Sequence, residues 1–448
     1  MTSMVQSSKH KKVVSLGHHK LFFSTLLSFS ILFFSACSNK VSSINDLQTL
    51  PQNALAYEFT LKTQTAQNTQ HNLTLFKERF FGPWNQKQLS ISQKKASWGE
   101  IYMTQKVYGL NHQLLSKKWF KKLNDNANWA QYNHLKADAV VIKNSNLRVF
   151  PSTLPIFYNP KKAGEGFPFD YNQNSGIKIN TPILISHYST DKQWVFVESG
   201  FAFGWIKTSD IALVNERIKT TYLESTLYIA IKDNFPIYKN SMFIEQIKLG
   251  TIFPKSRQGN FFVFNHYHNL EGYIQTIQNP KEKLHTLPLP FTKEKVQHVV
   301  NELIQEPYGW GEAFSKRDCS ALTKDFFALF GLYLNRNSKQ QTRNGEYISL
   351  KELSNQEKKE QIKSLSEPFS TLIYLPGHIM IYAGIKDNEP LVFHNFWGIK
   401  TENLFNEKGR FVVGQAAITT LEPGKELPNY APQSNILSKI KGMVILHP

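Results

Sequence analysis

Two cysteines stand in the whole sequence, Cys37 and Cys319. Cys319 lies in "KRDCSALTKDFFALFGLYL" (316–334), where a polar, charged lead-in ends at Asp318-Cys319-Ser320 and an apolar run starts at once. Aspartate is a good helix N-cap. With Asp318 in that place, Cys319 falls in the first turn, where unpaired backbone N–H groups and the helix dipole favour a thiolate. Leu322, Phe326, Phe327 and Phe330 bury one side of such a helix and hold the sulfur in position. The expectation is a nucleophile ionised at working pH. A nucleophilic cysteine needs a base, and the base needs an orienter. His378 opens the stretch "HIMIYAG", His394 closes "PLVFH" 16 residues later, and "KDNE" between them suits a hairpin turn. Adjacent antiparallel strands of this kind set one imidazole beside the other, with His378 as base and His394 holding it through the second ring nitrogen. No His-x-x-x-His or Cys-x-x-Cys spacing points to a metal, and no cofactor is implied.

The other cysteine belongs to the N-terminal 36 residues, which read as export machinery. Lys9, Lys11, Lys12 and Lys20 form a positive leader, and Leu21–Phe34 is apolar but too short to span a bilayer comfortably. The stretch "LFFSAC" resembles the bacterial lipobox, in which the cysteine becomes the lipidated first residue. That makes Cys37 a membrane anchor, and Ser38 after it resembles sorting to an outer membrane, with the chain facing the periplasm. Cys319 is then left without a disulfide partner, and a lone thiol in an oxidising compartment points to a use. Net charge is +18, four of it from the leader lysines. Such an excess suits an anionic polymer or membrane face. Export and the lack of any nucleic-acid motif argue against nucleic acid.

The rest of the chain is too long for one core. Residues 37–56 are polar and read as a tether. Residues 57–136 read as a small, mainly helical domain, with helical spacing at Leu114, Leu115, Trp119, Phe120 and Leu123. From 137 the period changes to short β-rich runs broken by turn residues. "KINTPILISH" (178–187) is echoed by "KLGTIFPKSR" (248–257), and Gly204-Trp205-Ile206 by Gly272-Tyr273-Ile274. A glycine before an aromatic fits a bent strand where a side chain would clash. Two small barrels are expected, 137–216 and 217–283, the first carrying the insertion "NPKKAGEGFPFDYNQNSG" (159–176). "HTLPLP" (285–290) reads as a linker, and 284–448 as the catalytic domain.

"PYGWGEAFSKRDCSALTKDFFALFGLYLNRNSKQQ", "PGHIMIYAG" and "VFHNFWG" together resemble the NlpC/P60 family of cell-wall cysteine peptidases. The likeness is to the branch with an N-terminal stabilising domain and two bacterial SH3-type domains, and it extends to "FFGPWN" (80–85), "FPFDYNQNS" (167–175) and "QAAITTLEPG" (415–424). It implies an α+β fold with a papain-like catalytic domain. It further implies cleavage of peptidoglycan stem peptides, commonly between γ-D-glutamate and the diamino acid. Carried over by residue, Cys319 is the nucleophile, His378 the base and His394 the third polar residue, with Tyr308 near the oxyanion. Asp318, Ser320 and Ser338 match positions that contact the L-Ala-γ-D-Glu end, including a free amine, although Asp318 serves equally as helix cap. Asp170 and Tyr171 of the insertion are expected to reach toward the cleft and gate or read substrate. The Gly-Asp-Leu often found before the histidine strand is replaced by "SEPFSTLIYLPGH". Two rival readings are an idle wall-binding lipoprotein and an acyltransferase or lipid-directed hydrolase on the same fold.

Overall fold

The computed structural model describes residues 43–280 and 282–448. The leader and Cys37 lie outside the described residues. Residues 43–136 are mostly short helices and turns. Helix α1 (Ala66–Phe80) is capped by the Thr65 side chain, which accepts from the Asn68 amide, and buries Phe76 and Phe80. The chain turns through "FFGPWN", where Trp84 Nε1 donates to the Ala139 carbonyl at 2.9 Å and its ring joins Phe81 and Tyr222. Helix α2 (Lys117–Asn126) starts at the Ser116 cap and buries Phe120, while Leu114 stays outside it and exposed.

The first β unit is a seven-stranded sheet. Its strands are β1 (Ala137–Val141), β2 (Ser145–Arg148), β3 (Gln173–Ile177), β4 (Pro182–Tyr188), β5 (Trp194–Ser199), β6 (Phe203–Lys207) and β7 (Ile211–Leu213), in the order β3-β2-β6-β5-β4-β1-β7. Helix α3 (Glu216–Leu223) leads to a second β unit of β8 (Thr226–Ala230), β9 (Phe235–Lys239), β10 (Met242–Ile247), β11 (Ile252–Lys255), β12 (Phe262–His266), β13 (Gly272–Thr276) and β14 (Leu284–Thr286). The repeated glycines open β13 and enter β6, where each meets a neighbouring backbone. A Cβ on Gly204 would lie 2.7 Å from the Arg148 carbonyl oxygen, and one on Gly272 2.5 Å from that of Leu213.

Two boundaries differ from expectation. Residues 285–286 are no linker and 284–286 no part of the catalytic domain, because β14 pairs with β8 and completes the second unit. Residues 43–56 are no free tether either. Ile44 is fully buried among Phe396, Ile399, Ala417 and Leu427, Asp46 accepts from the Thr420 amide and hydroxyl, and Gln52 bonds both backbone groups of Ile418. A polar stretch is not thereby solvent-exposed; its few apolar and hydrogen-bonding residues suffice to strap it to a sheet.

The C-terminal domain packs helices α4 (Lys293–Leu303) and α5 (Cys319–Leu329) on a six-stranded sheet. The strands are β15 (Glu346–Ser349), β16 (Thr371–Leu375), β17 (His378–Lys386), β18 (Glu389–Glu402), β19 (Lys408–Thr420) and β20 (Gly442–Ile445), ordered β15-β20-β16-β17-β18-β19. Val296, Val299, Val300 and Leu303 form the buried face of α4, as their helical spacing requires. The β17–β18 turn is Asp387-Asn388, both left-handed (φ 51° and 63°), as a two-residue hairpin turn needs.

Candidate active site

Asp318 caps α5, with its carboxylate accepting from the Ala321 amide at 2.8 Å, so Cys319 is the first helical residue. The hydrocarbon side of α5, including Leu322, Phe326 and Phe327, is buried against the sheet and α4. The sulfur side opens on a cleft of about 1890 Å³ that also takes in Tyr308, Asp318, Ser320, Arg336 and Ser338. The loop before Cys319 is held in unusual backbone. Gly311 is left-handed (φ 59°), and a Cβ there would press on the Gln173 carbonyl at 2.9 Å.

β17 and β18 pair with Ile381 opposite Phe393, which puts His378 and His394 on one face, diagonally related. His378 Nε2 and His394 Nδ1 are 2.8 Å apart, and His394 Nε2 lies 2.9 Å from Thr419 Oγ1. The Thr419 hydroxyl donates to the Thr420 carbonyl at 2.8 Å. Its single proton is therefore engaged, and toward His394 it acts as acceptor. That assigns the protons along the chain. His394 carries its hydrogen on Nε2 and accepts on Nδ1, His378 donates from Nε2, and the His378 Nδ1 lone pair is left to take a proton from elsewhere. His394 is fully buried and stacked on Phe396 at 4.2 Å, so the relay cannot rotate freely. Thr419→Val is expected to lower kcat by about 10²-fold, short of the ~10⁴ lost when a triad histidine takes the wrong tautomer. Thr419→Ser should restore it, and a valine variant at the wild-type kcat would disprove the assignment.

Electrostatics correct one expectation. Burial pushes the Cys319 thiol up to about 12, and the adjacent Asp318 charge adds to this; the backbone N–H groups of Ile379 and Ser320 oppose it without prevailing. Burial also lowers His378 to about 4, against the pull of Asp318. His394 is held well below the ordinary imidazole range by burial and by His378. The expected resident thiolate is thus a neutral thiol, and His378 a neutral imidazole, because the first turn of α5 is too buried for its dipole to win. A sulfur in this setting becomes nucleophilic only as His378 receives its proton. Burial, with Cys319 and Asp318 nearby, raises Tyr308 well above the usual phenol range, so its hydroxyl is a donor.

The flanking positions divide. Ser320 and Ser338 line the cleft, as does Tyr171, whose ring lies 5.5 Å from Trp310. Asp318 is more than a cap. It accepts from the Gly311 and Ala321 amides, from the Ser320 hydroxyl and from both Nη atoms of Arg336. Burial alone would raise its carboxyl, but Arg336 outweighs this and holds it low. Arg336 also pairs with Glu312, so two carboxylates enclose one guanidinium at the cleft wall. Asp170 is turned away from the cleft. It pairs with Arg148 at 2.9 Å and accepts from the Ile156 and Asn172 amides, bracing the insertion rather than facing a ligand. Besides Tyr171, the insertion reaches over with Phe169, its ring 5.2 Å from Trp310 and 6.0 Å from Trp397. Sequence reasoning passed over Thr419, Arg336, Phe169 and Trp397. Nothing local distinguishes Arg336 among 52 lysines and arginines, whereas the aromatic of "FHNFWG" stood in a quoted motif.

Three family profiles match the chain. The NlpC/P60 stabilising domain covers residues 26–132, an SH3 domain of the SH3b1 type residues 155–207, and the NlpC/P60 family residues 305–408. The last contains Cys319, His378 and His394. The chain belongs to the NlpC/P60 family. Membership supports a cysteine-type hydrolase in general. Among solved structures, a novel NlpC/P60 endopeptidase from Photobacterium damselae subsp. piscicida is 24% identical with a TM-score of 0.81, over 89% of this chain and 97% of that one. An NlpC/P60 family protein from Bacillus cereus is 14% identical with a TM-score of 0.46, over 70% and 100%. No curated protein sequence matches. The profiles follow the order helical region, SH3-like domain, catalytic domain, and the first of these structures shares the overall fold.

Proposed function

We propose that this NlpC/P60 protein is a peptidoglycan hydrolase that cleaves the γ-D-glutamyl–diamino acid bond of stem peptides, held at the outer membrane by lipid on Cys37 and facing the periplasm. The observation that carries the reading is the His378–His394–Thr419 hydrogen-bond chain, which leaves one imidazole lone pair free on the strand whose Ile379 amide faces the Cys319 sulfur. Cys319 Sγ attacks the amide carbonyl while its proton passes to His378 Nδ1. Tyr308 Oη and the Cys319 backbone N–H stabilise the oxyanion. His378 returns the proton to the leaving amine as the C–N bond breaks, and then draws a proton from the water that hydrolyses the thioester. His394 orients His378 and touches no reacting atom.

Asp318, Ser320 and Ser338 line the acyl side, with Tyr171 on the same wall. Asp318 and Glu312 around one Arg336 leave that group of three one negative charge in excess, which suits a free amine on the acyl half of the substrate. No metal or cofactor takes part in any of these steps.

The test is digestion of purified sacculi and of L-Ala-γ-D-Glu-diaminopimelate peptides, followed by mass spectrometry. Release of L-Ala-γ-D-Glu with a free diamino acid end is the expected result. Binding of sacculi with no fragments indicates the idle wall-binding lipoprotein instead. An unchanged peptide pool with altered lipid indicates an acyltransferase or lipid-directed hydrolase.

A further inference from the structure

From His394 onward β18 pairs in the sheet with β19 alone, and the two strands form an arm that ends in the turn "NLFNE" (403–407), closed by Glu402 opposite Lys408. Turns favour Gly, Pro, Asn, Asp and Ser. Here Leu404 and Phe405 hold the apex and are 98% and 84% exposed, the two most exposed large apolar side chains among the described residues. The turn is built around them. Asn403 Oδ1 accepts from the Phe405 and Glu407 amides, each at 2.9 Å, the Asn403 carbonyl accepts from the Asn406 amide at 2.9 Å, and Asn403 Nδ2 donates to the Glu407 carboxylate at 2.7 Å. The amides of Phe405, Asn406 and Glu407 are thus satisfied inside the turn, so they lose no hydrogen bond when the apex leaves water.

The described chain begins beside this arm. Ile44 is buried with Phe396 and Ile399 of β18. A Cβ on Gly424 would lie 2.5 Å from Ile399 Cδ1 and 3.3 Å from Ile44 Cγ2, which sets the two isoleucines side by side. From Ile399 to Leu404 the arm runs five residues, roughly 17 Å at strand rise. Cys37 stands seven residues before Ile44, and a chain of that length reaches about 25 Å at most. A lipid on Cys37 and the tip of the arm can therefore meet one membrane surface. Charge does not draw the tip there, because Glu402 and Glu407 outnumber Lys408 around the apex. What the apex offers a membrane is apolar surface.

We propose that Leu404 and Phe405 enter the bilayer that holds the chain through Cys37, as a second point of attachment for the catalytic domain. The proposal rests on the reading of Cys37 as a lipid anchor. The pair sits about 5–10 Å deep, at the boundary of headgroups and acyl chains. One attachment point leaves the domain free to turn about it; two fix which face of the domain is toward the membrane.

The experiment places Phe405→Cys in the Cys319→Ala chain, expressed from its own leader, where residue 405 is the single free thiol once Cys37 carries lipid. That thiol is labelled with the fluorophore nitrobenzoxadiazole, and the protein is reconstituted into phosphatidylcholine vesicles. Mass spectrometry of the peptide beginning at residue 37 reads the anchor first. The expected result is probe emission typical of an apolar medium, quenched by lipids brominated on their acyl chains. Leu404→Asp should lower the ratio of inserted to free tip by about 10- to 100-fold, as for withdrawing one large apolar side chain from lipid, and return the emission toward that in water. Both positions are exposed, so the Tm of each variant should stay at the wild-type value. A lipidated protein whose probe stays wet and unquenched overturns the proposal while leaving the anchor in place. A signal indifferent to bromination that rises with protein density in the vesicle shows a second copy covering the tip, and overturns it as well. Cys37 without lipid removes the anchor reading and this proposal with it, while fragment release judges the hydrolase separately.

Discussion

Cys319→Ala is expected to abolish stem-peptide cleavage, lowering the rate by roughly 10³-fold or more, and to leave the fold intact. It is the lone cysteine of the described residues, and no other nucleophile lies within the His378 relay. Removing one sulfur from a first-turn position that already opens on a cleft costs about 1 kcal/mol of stability at most. Fragment release by mass spectrometry and thermal melting followed by circular dichroism would be read together. A folded alanine variant that still cleaves within tenfold of wild type disposes of the covalent mechanism. The same site makes a statement about pH. With the thiol pushed up to about 12, alkylation of the ligand-free protein by iodoacetamide should climb about tenfold per pH unit through the neutral range. A plateau below neutral pH would instead reveal a standing thiolate–imidazolium pair.

Arg317→Met is expected to be the most destabilising single change. Arg317 is 1% exposed and spends all five of its N–H donors. Nε donates to Asp325 at 2.7 Å, Nη1 to both oxygens of Glu306 at 3.0 and 2.9 Å, and Nη2 to Asp233 at 3.1 Å and the Leu249 carbonyl at 3.0 Å. Lys248 joins Asp233 and Glu306, and Lys178 and Lys324 join Asp325. The network draws Asp233 and Lys248 from the second β unit, Lys178 from the first, and the rest from the catalytic domain. Methionine fills the stem but leaves three buried carboxylates short of a partner, a loss of about 3–5 kcal/mol. A fall in Tm of at least about 5 °C is the expected reading. Activity should suffer as well, because the Arg317 carbonyl accepts from Asn395 Nδ2 at 2.9 Å, next to His394 and two residues before Cys319. Arg317→Lys should recover only part, since one ammonium does not reproduce the guanidinium fork. An unchanged Tm in Arg317→Met would show that the β units dock without this network.

What could be read along the chain was whatever depends on near neighbours. The Asp318 cap, the apolar face of α5, the face of α4, the Asp387-Asn388 turn and the glycines of the two β units are all set by residues within a few positions of one another, and each forms as its local chemistry requires. Pairing of the two histidines was also legible, because hairpin register follows from a short turn. What the sequence could not yield was anything set by residues brought together from far apart. The state of the Cys319 thiol was misjudged because its pKa is governed by burial under β17, which the helix dipole cannot offset. Asp170 looked like a cleft residue and is instead bound to Arg148, while Thr419 and Arg336 lay in stretches that carry the family likeness with nothing to show their role. Sequence alone therefore determined which elements form and which groups stand as candidates for the chemistry. Only the tertiary structure decided where the protons sit, which charges are already paired, and which are left for a ligand, because desolvation and pairing depend on neighbours in space.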